Sequence, residues 1–166
     1  MNIQPKLLQA VARVKVLGVK KFILTQDVID KANIGWTDNN FEEFFLGKVE
    51  EDVKDAVLVI YSLKKDSLSV SIIAKLGKRD NMQLAYFFGS LKKQSNGEEG
   101  PLLTDGYANV AFIQGKDSNV WAMDARYHPV DGYWGVFVNS VEDMNRWNDA
   151  GCYILSCKSK CITPSE

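Results

Sequence analysis

Asp124, Arg126 and His128 are the residues of this 166-residue chain whose types and spacing come nearest to chemistry. At alternate positions of a β-strand they would project to one face, roughly 7 Å apart from one to the next. An acid–base pair needs such neighbours to bring a histidine close to neutral pH. A plainer reading competes with it: a solvated sheet face carrying an ordinary Asp–Arg pair, with the histidine opening a turn. Surface pairs of that kind are common and individually weak. The intervening residues Trp121, Met123, Ala125 and Tyr127 belong to the opposite, apolar face and read as core.

Three cysteines, Cys152, Cys157 and Cys161, crowd the C-terminal end. One could act as a thiolate with His128 as its base, yet nothing in the sequence places the two together. No helix N-terminus or cationic cluster adjoins Cys152 to activate it, so it reads better as a small buried hydrophobe. The cysteine spacing lacks a CxxC pair, which speaks against a zinc site. The odd, clustered number speaks against a disulfide framework and fits a reducing compartment. No Walker or dinucleotide glycine pattern, GxSxG elbow or HExxH helix occurs, so no cofactor is implied. The long punctuated loop from Lys92 to Gly106 offers Lys92, Lys93 and Asn96 as ligand-binding candidates, or else is a tolerated insertion.

Twenty lysines and arginines against 21 acids leave a net charge of -1, so no global field draws the chain to nucleic acid or to an acidic membrane. Lys6, Arg13, Lys15, Lys20 and Lys21 interrupt the apolar residues of the N-terminus, and neither a membrane span nor a signal peptide is expected there. A cytoplasmic protein is the expectation.

Three strands must position the polar trio: Tyr107 to Gln114, Asn119 to Tyr127 and Tyr133 to Asn139, joined by Gly115–Ser118 and Pro129–Gly132. Gly, Pro, Asp and Ser in those connectors reverse a chain cheaply. Upstream, Leu7, Val11, Val14 and Leu17 recur at helical spacing and predict a helix from Pro5 to Leu17. Val19 to Leu24 is a short strand or the lead-in to a helix that Thr25 caps and that runs through Ala32. Thr37 or Asp38 caps a third helix, with Phe41, Phe44, Phe45, Val49 and Val53 as its buried stripe. Ala56 to Leu76 reads as a hairpin turning at Lys65–Ser67, because Leu68, Val70, Ile72, Ala74 and Leu76 alternate, with Ile73 as the exception. Asn81 to Leu91 is ambiguous and is taken as a strand. Ser140 opens a capping box for a helix through Ala150, Cys152 to Cys157 forms a last strand, and residues 158–166 fray.

Three helices followed by a hairpin resemble, in element order alone and over about the first 76 positions, a winged helix-turn-helix. The resemblance would imply DNA binding, but Glu42 and Glu43 on the would-be recognition helix repel phosphates. The Trp-rich meander ending in a helix and a short strand has the feel of a bacterial module, with no family attached.

The expected architecture is α+β in one domain: residues 1–55 mainly helical, residues 56–157 an antiparallel sheet of six or seven strands, with N-terminal helices and one C-terminal helix packed on it. A thin catalytic inventory puts a non-catalytic binding or accessory protein first, with a protein partner or small ligand and with homo-oligomers allowed. A small hydrolase or transferase using Asp124, Arg126 and His128 comes second, and a DNA-binding regulator third.

Overall fold

A computed structural model describes residues 6–77 and 80–158. In chain order the elements are β1 (Leu8–Val16), β2 (Val19–Ile23), α1 (Gln26–Lys31), β3 (Ile34–Thr37), α2 (Asn39–Phe44), β4 (Val49–Val53), β5 (Ala56–Leu63), α3 (Ser69–Leu76), α4 (Leu84–Lys93), β6 (Ala108–Gln114), β7 (Val120–His128), β8 (Tyr133–Ser140) and β9 (Cys152–Cys157). Seven strands form one sheet in the order β1-β5-β9-β6-β7-β8-β3, and β2 pairs with β4 in a small antiparallel ribbon. The mixed α and β content and the strand number agree with the sequence expectation. The sheet is mixed rather than purely antiparallel, because β6 runs parallel to β9 and β3 parallel to β8.

The meander, the Cys152 strand and the Thr25-capped helix form as their residues predict. Asn109 to Gln114 pair with Ala125 to Val120, and Trp121 to His128 pair with Ser140 to Tyr133. Thr25 accepts a hydrogen bond from the Val28 amide, and Asp38 does the same for the Phe41 amide at the start of α2.

Several elements differ from expectation, each for a physical reason. The predicted Pro5–Leu17 helix is β1 over its described part, and Pro5 itself lies outside the described residues. A bulge between Ala10 and Ala12 shifts the strand by one residue. Leu8 then packs on one face of the sheet while Ala12, Val14 and Val16 pack on the other. That switch of phase broke the alternation and left an accidental helical spacing. The third helix ends at Phe44, and Val49 and Val53 belong to β4 instead. Positions 8–53 therefore hold four strands and two short helices, and the element order behind the winged-helix resemblance is not present among the described residues.

The returning arm of the predicted hairpin is α3. Ser69, Ile72 and Leu76 are its buried residues, at the spacing of one helical face, and Ile73 packs beside them. Ile73, the exception to strand alternation, was the helical signal. The predicted strand at 81–91 is α4, whose Leu84, Phe87, Phe88 and Leu91 are buried at positions i, i+3, i+4 and i+7. Gln83 gives this helix no side-chain cap. Its cap comes from Glu50, 34 residues earlier, whose two carboxylate oxygens accept from the Leu84 amide at 2.9 Å and the Ala85 amide at 2.7 Å. The Gly77–Asp80 connection falls partly on positions 78–79, outside the described residues.

The helix expected from Ser140 to Ala150 does not form: Ser140 ends β8, and Val141 to Ala150 is irregular chain. Its polar side chains hold their own backbone: Ser140 Oγ accepts from the Glu142 amide, Asp143 from Asn145 and Asn148 from Ala150. Trp147 anchors the segment, exchanging backbone hydrogen bonds with Ser67 and donating from its indole to Ser69 Oγ at 2.9 Å. The segment has to cross the sheet, because β8 and β9 are parallel and β7 and β6 lie between them. Of the predicted tail, Lys158 bridges to Asp80, and the remainder lies outside the described residues.

The two faces of the sheet are covered unequally. On the first, Ile29, Phe41, Phe45, Val53 and the α4 residues pack on Met123, Ala125, Trp134, Val136 and Val138. On the second, Ile72 and Leu76 of α3, with Val141 and Trp147 of the crossover, cover Leu63, Val110, Phe112, Ala122 and Ile154. No β8 or β3 residue belongs to this second cluster among the described residues.

Candidate functional site

Where α3 and the crossover stop, the second face of the sheet displays Arg126 and His128 of β7, Tyr133, Gly135 and Phe137 of β8, and Trp36 of the edge strand β3. Strand pairing sets this arrangement. Asp124 lies between Val110 of β6 and Phe137 of β8, Arg126 lies opposite Gly135, and His128 opposite Tyr133.

Asp124 is 2% exposed, and this face is not wet at its position. Arg126 Nε donates to Asp124 Oδ2 at 3.0 Å. The other carboxylate oxygen, Oδ1, is buried and has no hydrogen-bond partner among the described residues. Burial outweighs the nearby guanidinium and raises the carboxyl from 3.8 to about 6. A buried polar atom without a partner is uncommon and calls for a reason.

Arg126 reaches outward from this buried anchor, its side chain 42% exposed. Its guanidinium lies 5.9 Å from the centre of the Phe137 ring. Phe137 in turn packs on Trp36 with ring centres 4.7 Å apart, and Trp36 is 46% exposed. An arginine, a phenylalanine and a tryptophan thus form one continuous shelf across β7, β8 and β3. On the other side of Trp36, a cavity of 230 Å³ opens between α1 and α2, lined by Gln26, Ile29, Phe41 and Glu42 among others.

His128 is half-buried and faces Tyr133, ring centres 5.5 Å apart. Its imidazole fits the notch left by Gly135, where an added Cβ would stand 2.9 Å from His128 Nε2 and 3.7 Å from Phe137. No hydrogen bond links His128 to Asp124 or Arg126 among the described residues. The structure therefore brings Asp124 and Arg126 together and seats the histidine separately beside them. Gly135→Ala is expected to push the imidazole out of its notch, because the flexible ring tip gives way before backbone does. The His128 ring resonances should shift while stability changes by less than about 1 kcal/mol. Unchanged resonances would show that the notch does not hold the ring.

The remaining candidates do not converge. Lys92 and Lys93 end α4, where cations suit the helix dipole, and Lys93 Nζ donates to the Lys15 carbonyl at 3.0 Å. Asn96 uses its carbonyl to accept from the Tyr127 hydroxyl at 2.9 Å. The loop after α4 is internally tied. Buried Gln94 exchanges hydrogen bonds with Leu102 and also bonds Glu98, while its carbonyl accepts from the Trp134 indole. Cys152 and Cys157 are free and buried thiols, and burial, reinforced by Asp124, pushes Cys152 up to about 12. Cys161 lies outside the described residues. Among the described residues no three His, Cys, Asp or Glu side chains converge as metal ligands.

Sequence reasoning missed Trp36 and Phe137. Phe137 carried a signal, since meander register alone sets it opposite Asp124. Trp36 carried none, because β3 reaches this face through a parallel pairing across about 100 residues. No helix among the described residues is long and apolar enough to cross a membrane. Compared with protein-family models, curated proteins and solved structures, the chain matches none of them.

Proposed function

We propose that this chain is a non-catalytic binding protein that engages a protein partner through the Trp36–Phe137–Arg126 shelf. The observation that carries the reading is a half-exposed tryptophan packed on a phenylalanine that an arginine also flanks, on the uncovered part of the sheet. Trp and Arg, with Tyr, are the residues most enriched among those that dominate binding energy at interfaces. Asp124 supports the shelf from below by fixing Arg126, so less side-chain freedom is lost when a partner docks. A carboxylate held in a costly place is the kind of compromise made where function outweighs stability. A cytoplasmic setting belongs to the same reading, supported by two free, buried thiols.

The enzyme alternative has one observation in its favour, a carboxyl near 6, within the range where proton transfer works. Against it stand the unlinked His128 and a Cys152 thiol too basic to supply a nucleophile at neutral pH.

Trp36→Glu and Arg126→Glu, each confirmed as folded by its thermal transition, test the partner reading. In chemical crosslinking from the native source, a partner held by the wild-type chain should be lost from both variants. A hot-spot tryptophan is typically worth about 2 kcal/mol or more. A partner retained equally by Trp36→Glu would end the proposal, as would a wild-type chain that recovers nothing beyond an unrelated bait. Light scattering on the same proteins identifies the partner if it is a second copy of this chain.

A further inference from the structure

A cleft larger than the cavity beside Trp36 lies away from the shelf, toward the β1 edge of the sheet. Its 530 Å³ open where the end of β1, the β4–β5 turn, the start of α4 and the end of β9 meet. Its volume is within the roughly 300–1,000 Å³ typical of small-molecule sites.

Its walls are built rather than incidental. The β1–β2 turn lies directly against the β4–β5 turn, so close that a Cβ on Gly18 would stand 2.1 Å from the Val53 carbonyl oxygen. The Gly18 amide donates to Asp55 Oδ1 at 2.6 Å and fastens the two turns together. Across the cleft, the Tyr86 hydroxyl donates to the Lys54 carbonyl at 2.6 Å and ties α4 to the same turn. Three separate elements are thus locked around one space.

The lining divides by chemistry. Leu17, Ala56 and Val57 supply apolar surface, Leu17 being 86% exposed, and the buried Val16 and Tyr86 back it. Lys15 and Lys54 supply positive charge, and neither has an ion-pair partner within 4.0 Å among the described residues, whereas the Lys158 ammonium lies over the Tyr61 ring, 5.8 Å from its centre, and acts on Asp80. Two acids, Asp52 and Asp55, share the lining, but Asp55 is already bound to the Gly18 amide. Lys93, whose ammonium is bonded to the Lys15 carbonyl, adds a further positive charge nearby. With the Lys158 ammonium turned to Tyr61, Lys15 and Lys54 in the lining and Lys93 beside it stand against Asp52 and Asp55, an excess of one positive charge in a chain whose overall charge is -1.

We propose that this cleft binds a small amphipathic monoanion, an alkyl or aryl carboxylate whose apolar body lies on Leu17, Ala56 and Val57 and whose carboxylate meets Lys15 or Lys54. A neutral apolar molecule would leave the lysines unused, and a polyanion would meet Asp52. The inference is independent of the shelf, since no residue is common to the two.

Octanoate and octylammonium share an eight-carbon body and differ in the sign of their charge, which makes them the deciding probes. In titrations of the full chain followed by amide NMR, octanoate should bind saturably at one site. Its shifts should centre on residues 15–17, 54–57 and 83–86. The double variant Lys15→Glu/Lys54→Glu should weaken it at least about tenfold, while octylammonium gives no saturable binding to the wild-type chain. Lys15→Gln/Lys54→Gln provides the same comparison, with a smaller loss, if the charge reversal disturbs folding. The proposal is overturned by octylammonium binding as well as octanoate, by shifts centred elsewhere, by unaltered affinity in the variants, or by no saturable octanoate binding.

Discussion

An Asp124→Asn variant is expected to lose a pH dependence of stability that the wild-type chain shows between about pH 4 and 6. The folded carboxyl sits at about 6 against an ordinary value of 3.8. Between those values the native state holds a proton that the unfolded chain has released, so wild-type stability falls as pH rises through the window. Below the window both states are protonated and the site is not a burden. Above it the folded protein must keep a buried carboxylate with one oxygen unpaired, at a cost of about 3 kcal/mol. Asparagine keeps an oxygen for Arg126 and has no titrating proton. Urea unfolding of both proteins between pH 3.5 and 8 should therefore show their difference moving by about 3 kcal/mol in the variant's favour as pH rises. A difference that stays constant with pH would mean that Asp124 is not held above its usual range. If the shelf uses Arg126 as proposed, the variant also trades stability gained for a looser arginine.

Glu50→Ala should be comparably severe, by a different route. Glu50 is buried and accepts from two backbone amides at the start of α4. It also pairs with Lys48, whose ammonium bonds the Gln114 carbonyl as well. Removing the carboxylate takes away a helix cap, typically worth about 1 kcal/mol. It also leaves the Leu84 amide buried without a partner, at a further cost of about 1–3 kcal/mol. A total near 3 kcal/mol follows, with faster hydrogen exchange through α4 as its local signature. Glu50→Gln keeps an acceptor oxygen and should lose about half as much. A loss below about 1 kcal/mol for the alanine variant would show that α4 stands without this cap.

Both predictions rest on residues that the sequence presented unequally. Asp124 stood out by its neighbours in a strand whose bounds were readable, because Gly115–Ser118 and Pro129–Gly132 mark the turns and the alternation between them is unbroken. Separating that strand into faces also put Trp121, Met123 and Tyr127 correctly on the core side. What the local pattern did not contain was the depth at Asp124. Asp124 lies between Val110 of β6 and Phe137 of β8 and near the Cys152 thiol of β9, neighbours that come together only when the strands assemble. Glu50 had no local signal, since its partners lie 34 and 35 positions away.

The same division holds for the fold. The sequence by itself determined the meander, the last strand and the helix caps at Thr25 and Asp38, because turn residues, alternation and caps act over a few positions. Only the tertiary structure decided the rest. The bulge in β1 changes which face each residue meets, α3 and α4 take a helical form once their stripes find a sheet to cover, and the crossover replaces a helix with chain that its own Ser, Asp and Asn side chains hold. The polar trio illustrates the limit most directly. Spacing put Asp124, Arg126 and His128 on one face, and only packing determined that the first is buried, the second reaches out beside Phe137 and Trp36, and the third sits in the notch at Gly135.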